Sequence, residues 1–217
     1  MVQMIWGKEM KKKSKRIAYA LILGIVLLFF FYQELSGIED EGINTEIEKM
    51  MVYIERYNPQ MSNSLRFQVA QEIYRTASRD QNLTIPLLCA LITHESARTW
   101  DPKIISPAGA VGLMQILPST AREVLFYSLS DQEREETNED CSIIVLHQIL
   151  SDPVINIRIG SRYLSYLIDR NGLIQGLIAY YMGESKMTIL VEVMEERFPL
   201  EAERYLSSIF QFYKEIS

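Results

Sequence analysis

The sequence predicts an all-α fold, a helical domain behind an apolar N-terminal segment. Apolar residues recur at three- and four-residue intervals nearly throughout the chain from Asn63 onward, the signature of helices with one buried stripe. Strand-like alternation is absent over any useful length. Boundary signals also fall where the periodicity begins and ends: Thr84 precedes Pro86 at the head of one run, and Asn171-Gly172 closes another.

The chain of 217 residues, 48% hydrophobic, is long enough for one ordinary domain with a real core plus an appendage. Residues 1–37 form the appendage. There "KKKSKR" abuts the sixteen uncharged residues "IAYALILGIVLLFFFY", Ile17 to Tyr32. A spanning helix usually needs about 20 apolar residues, with a range reaching down to ~17, whereas a signal-peptide core runs to about 15. No A-x-A site follows, so the first reading is an uncleaved signal-anchor, with a cleaved signal peptide as the alternative. Met10, just before the basic cluster, is a second possible start. The basic flank keeps the N-terminus in the cytoplasm and sends the rest of the chain out through the inner membrane.

Residues 38–62 read as an acidic spacer plus a short amphipathic helix with Ile47, Met50, Met51 and Ile54 on one face, ended near Asn58-Pro59. From residue 63 to 217 helices follow in series. The first places Phe67, Ala70, Ile73, Tyr74 and Ala77 on one face. The next is "TIPLLCALITHES", and a third runs through "PSTAREVLFYSL". After the acidic stretch "DQEREETNED" come "SIIVLHQIL", "DPVINIRIGSRYLSYLIDRN", "GLIQGLIAYYM" and "EAERYLSSIFQFYKEI".

The net charge is -6, and the first 37 residues are themselves basic. An acidic body speaks against nucleic acid as a partner, because that binding runs on basic patches. Cys89 and Cys141 form no metal-like cluster; they could pair, or Cys89 could be a buried free thiol within its apolar run. No metal and no other cofactor is expected. His94-Glu95 does not complete H-E-x-x-H, since Arg98 stands where the second His belongs.

Glu95 is the residue that needs explaining. Leu88, Leu91, Ile92 and Glu95 stand at i, i+3, i+4 and i+7, so the carboxyl shares a stripe with buried leucines. It also falls in the last helical turn, where the helix dipole disfavours negative charge. Desolvation and dipole together would raise its pKa and keep a proton on it near neutrality, which is what a general acid requires. Helical spacing alone leaves an exposed helix-end Glu equally open.

The residues that follow resemble a known family. "ES", Pro102 and "SPAGAVGLMQILPSTA" are similar to the signature of the soluble lytic transglycosylases, the goose-lysozyme-like enzymes that cleave peptidoglycan. Glu95, Ser96, Pro102, Ser106, Gly109, Ala110, Gly112, Leu113, Met114, Gln115, Pro118, Thr120 and Ala121 meet that pattern. "DPVINIRIGSRYLSYL" looks like a second block of the family, "AYYMG" sits where it has A-Y-N-A-G, and "RYLSSIFQFY" resembles its closing helix. The resemblance covers roughly residues 64–217. It implies a lysozyme-like helical domain, peptidoglycan glycan strands as the partner, and no metal.

By the same resemblance, Glu95 is the sole catalytic acid and base. It protonates the glycosidic oxygen between N-acetylmuramic acid and N-acetylglucosamine, then takes the proton of the C6 hydroxyl that attacks the anomeric carbon. The product is a 1,6-anhydromuramic end, and the substrate's N-acetyl group replaces a second carboxylate. Ser106 is implied near Glu95, with Gln115 and Tyr180 lining the cleft. Met114 and Tyr181 belong to the same substrate-binding set, although packing beneath the loop suits Met114 on its own.

Several residues depart from the pattern. The stretch from Ser96 to Pro102 is two residues longer than in many relatives. Tyr181 and Met182 replace Asn and Ala, and Glu184 stands where Pro is usual. The stretch "DQEREETNEDCSIIVLHQ" looks like an insertion. Glu184 raises the alternative of a hydrolytic muramidase with a second acid, and the altered "YYMGE" that of a glycan-binding scaffold.

Overall fold

The computed structural model describes residues 42–127, 143–193 and 198–217. The expected membrane helix, the acidic stretch "DQEREETNED" and Cys141 lie outside the described residues. Among the described residues no helix is long and apolar enough to cross a membrane. Contacts divide the chain into Met1–Glu46 and Ile47–Ser217, and the account that follows concerns the second unit.

Helix α1 covers residues 42–57, and within the second unit it buries Ile47, Met50, Tyr53 and Ile54. Helix α2, Asn63–Ala77, opens on Ser62, whose hydroxyl accepts from the Leu65 amide. Its buried face is Arg66, Val69, Ala70, Glu72 and Ile73, and Phe67 is exposed. The expectation that Phe67 points inward is therefore corrected. Arg66 takes the inward position instead, donating to the Met61 carbonyl at 3.0 Å and pairing with Glu55 at 3.1 Å, which turns the apolar stripe by one residue.

Helix α3, Ile85–Glu95, is the centre of the unit. Thr84 caps it by accepting from the Leu87 amide, and Pro86 occupies the first turn, where no amide is needed. Leu87 to Thr93 are buried without interruption, as expected of a helix covered on all sides. It packs most extensively against the closing helix and also against α2. Cys89 within it is a buried free thiol.

Helices α4 (Pro118–Tyr127), α5 (Ile143–Leu150), α6 (Pro153–Asn171) and α7 (Leu173–Met182) follow. Asp152 caps α6 through the amides of Val154 and Ile155. Gly172 ends it with φ 77°, a left-handed value that favours glycine. Helix α8, Glu184–Val193, lies where the sequence reading expected no element. The signal was weak because Ile189 is exposed there while Met187 is buried. Helix α9, Leu200–Ile216, buries Ala202, Tyr205, Ile209 and Phe212. Leu167, Ile178, Ala179, Met187 and Ala202 form the apolar cluster in which α6 to α9 meet.

Candidate active site

Glu95 is the last residue of α3. The backbone then turns sharply: Ala97, Arg98 and Trp100 all have positive φ, at 51°, 65° and 48°. Such conformations cost non-glycine residues roughly 1 kcal/mol or more each, so something must hold them. The Arg98 amide closes back onto the Thr93 carbonyl at 2.8 Å. The Trp100 indole is fully buried and donates to Thr93 Oγ1 at 3.0 Å. The stretch from Ala97 to Trp100 is thus pinned by a buried aromatic anchor.

The glycine-containing loop is built from short backbone bonds. Val111 and Ile116 exchange amides at 3.0 Å, and the Gly112 amide reaches the Ile104 carbonyl at 2.9 Å. Ser106 Oγ accepts from the Ala110 amide at 3.0 Å. The Gln115 side-chain amide donates to the carbonyls of Gly112 and Ile104 at 2.9 and 3.2 Å. Ser106 and Gln115 therefore both brace the loop that carries them.

Asn156 on α6 is the pin of the whole loop. It is fully buried, accepts from the Met114 amide at 2.8 Å and donates to the carbonyls of Val111 and Leu150 at 2.9 and 3.0 Å. A Cβ on Gly112 would stand 2.4 Å from Asn156 Nδ2, and Gly112 has φ +79°. Glycine is required there by close approach and by backbone sign together.

Met114 is fully buried, its sulfur 3.7 Å from Ser161 Oγ. Its side chain supports the loop from below. The Met114 carbonyl accepts the Tyr180 hydroxyl at 2.7 Å, which ties α7 to the loop. Tyr181 is 45% exposed and stacks on Tyr205 at 4.6 Å between ring centres.

Tyr205, a residue that sequence reasoning missed, completes the arrangement. Its hydroxyl donates to Glu95 Oε1 at 3.0 Å, and its ring packs edge-on against His94. His94 is held in turn by Ser208 at 2.8 Å. Burial raises the Glu95 pKa to about 7, partly offset by the Tyr205 hydrogen bond. The Tyr180 phenol is pushed well above its ordinary value, first by burial and then by the Glu95 charge. The His94 pKa is lowered by burial and by Arg98. Tyr205 was legible only as a tyrosine on the Tyr205, Ile209, Phe212 stripe of α9, which reads as core.

Glu184 opens α8, with its carboxylate 2.9 Å from Arg170 Nε.

A half-buried carboxyl that holds its proton near neutrality, with its charge felt by the Tyr180 phenol that is tied to the glycine loop, can act as a general acid and base. The Transglycosylase SLT domain matches residues 72–189, more than half of the chain, and the chain belongs to this family. The soluble lytic murein transglycosylase of Salmonella typhimurium is 32% identical over 126 residues, 56% of this chain and 17% of that protein. The membrane-bound lytic murein transglycosylase F of Alcanivorax borkumensis is 28% identical over 144 residues, 61% of this chain and 26% of that protein. The chain thus spans only a minor part of the length of either relative. The structure of an inactive mutant of lytic transglycosylase Slt from Pseudomonas aeruginosa superposes with a TM-score of 0.51 at 23% identity, over 67% of this chain and 23% of that one. That likeness establishes the fold.

Proposed function

We propose that this protein is a peptidoglycan lytic transglycosylase that cleaves the β-1,4 bond between N-acetylmuramic acid and N-acetylglucosamine. The observation that carries the reading is Glu95, in the family's acid position, with its pKa raised to about 7 by burial. Protonated Glu95 gives its proton to the glycosidic oxygen as the C1–O bond breaks and the bonding pair leaves with that oxygen. The substrate's N-acetyl carbonyl stabilises the cationic sugar. The Glu95 carboxylate then accepts the proton of the C6 hydroxyl as that oxygen bonds to C1. The acid is regenerated and no water is consumed.

In this reading the loop from Ser106 to Gln115 and the exposed ring of Tyr181 line the glycan cleft. Tyr180 and Met114 hold the loop in place from behind. Glu184 is engaged by Arg170, which argues against its serving as the base of a hydrolase. The sequence of residues 1–37 supports a single-pass anchor in the inner membrane, with the catalytic domain on the periplasmic side.

Digestion of purified peptidoglycan, followed by mass spectrometry of the released ends, tests the proposal. Muramic ends lighter by one water are expected. Reducing ends throughout would make the protein a lysozyme, and no released fragment would make it a binding scaffold.

A further inference from the structure

The strained turn after Glu95 is also held by residues at the end of α1. Thr93, two residues before the acid, is fully buried, and its hydroxyl meets three partners. It donates to the Cys89 carbonyl at 2.7 Å and accepts from the Trp100 indole at 3.0 Å. The Tyr53 hydroxyl lies 3.1 Å from the same oxygen. A threonine hydroxyl offers one proton and two lone pairs, and an indole N–H can only donate. The single Thr93 proton goes to the Cys89 carbonyl, which can only accept. Tyr53 must therefore donate, and the bonding capacity of Thr93 is filled.

Tyr53 is itself buried and sets its ring edge-on to Trp100, with 6.1 Å between ring centres. Asn58, just past the end of α1, donates through Nδ2 to the Trp100 carbonyl at 3.0 Å. The Trp100 amide donates to Ser96 Oγ at 3.1 Å, so this residue is held by its ring and by both of its backbone groups. The positive φ values of Ala97, Arg98 and Trp100 need such a grip, because strained conformations persist only where the surroundings over-determine them. Tyr53 and Asn58 both precede Asn63, outside the stretch whose motifs resemble the family.

We infer that Tyr53 and Asn58 are positioning residues for glycan cleavage, acting on Glu95 through Thr93, Trp100 and the turn between them. The inference rests on the reading of Glu95 as the acid. Glu95 ends the helix that Thr93 anchors and leads into the turn that Trp100 closes, so its backbone is gripped on both sides. A misplacement of about 1 Å at a reacting group costs up to about 10²-fold in rate. Neither Tyr53 nor Asn58 needs to touch the glycan to have that effect.

Tyr53→Phe keeps the ring and removes the donor to Thr93, and Asn58→Ala removes the donor to the Trp100 carbonyl. Cleavage of soluble, uncrosslinked glycan strands by the full chain in detergent is measured well below the thermal midpoint of each variant. The double variant should lose about tenfold or more in kcat, with KM changed by less than about twofold. Its alkaline limb should also move to lower pH, because a carboxyl freed to reach water loses the burial that raises its pKa. Tyr180 and Tyr205 titrate well above their ordinary values and the His94 pKa is lowered, so none of these neighbours changes charge across that limb. If the double variant melts early, Tyr53→Phe alone carries the test, with a fall in kcat of about threefold and the same direction of the limb. An unchanged kcat would overturn the inference, and so would a lower kcat with the limb in place, which marks a role in folding alone. Glu95→Gln, assayed alongside, separates the two readings. Activity retained there refutes the acid, whereas a dead Glu95→Gln beside a fully active double variant refutes only the positioning role.

Discussion

The phenol of Tyr205 donates to Glu95 Oε1 at 3.0 Å, joining residues 110 positions apart in the chain. Burial and this bond together set how the acid behaves. Burial raises the Glu95 pKa and the Tyr205 hydrogen bond lowers it, with a balance at about 7. At that value the group carries a proton half the time at neutrality, so it can both give one and take one back.

Replacing Glu95 with Gln keeps the shape and an acceptor for Tyr205 but abolishes proton transfer. Glycan cleavage should fall by at least ~10²-fold, the scale of general acid–base catalysis, with glycan binding retained. Release of soluble fragments from peptidoglycan and a pull-down on insoluble sacculi measure the two separately. More than a tenth of the parent activity would rule out Glu95 as the acid.

The same substitution should stabilise the protein at alkaline pH. A carboxyl raised from 4.5 to about 7 on folding binds more protons in the folded than in the unfolded chain between those values. Stability therefore falls as pH rises through that window and stays lower above it. Glu95→Gln removes the penalty, worth roughly 1–3 kcal/mol above pH 7 once residual solvent is allowed for. The gain should vanish below pH 4.5. Urea unfolding at both ends of the range shows it.

Activity should decline as pH rises through about 7, where Glu95 loses its proton. Tyr205→Phe removes the interaction that holds this pKa down, so the alkaline limb should move to higher pH. The maximal rate should drop by roughly tenfold, the worth of a hydrogen bond of about 1.4 kcal/mol. A pH–rate profile that keeps its alkaline limb would show that Tyr205 acts on packing alone.

Asn156→Ala leaves the Met114 amide and the carbonyls of Val111 and Leu150 without the bonds that Asn156 gives them. Stranded buried backbone groups cost about 1–3 kcal/mol each before relaxation or entry of water. A net loss of about 2–4 kcal/mol is expected in chemical denaturation, together with a fall in cleavage. Unchanged stability would mean that the loop stands without its pin.

Glu184→Gln should alter neither the product ends nor the rate beyond a few-fold. It removes a pair with Arg170, which is 59% exposed, and the stability change should stay within about 1 kcal/mol. Conversion of reducing ends into anhydro ends in this variant would assign Glu184 the role of activating water.

Helical periodicity, the Thr84 cap and the Gly172 stop were legible in the sequence because they are local. They depend on spacing along one helix and on the chemistry of its ends. The position of Glu95 on the buried stripe of α3 was legible for the same reason, as was the glycine loop behind it. Periodicity says which face of a helix is apolar but not what docks there. Tyr205 on the α9 stripe read as core, and only the packing of α9 on α3 put its hydroxyl against Glu95. Asn156 lies 42 residues from the Met114 amide it holds, a distance over which spacing carries no information. Phe67 was misplaced because Arg66 finds partners in the Met61 carbonyl and Glu55, and a charge with partners can displace an aromatic from the interior. The sequence by itself determined the helices and the candidate acid. The tertiary structure decided which groups surround that acid, because burial and hydrogen bonding between distant segments exist only once those segments have packed.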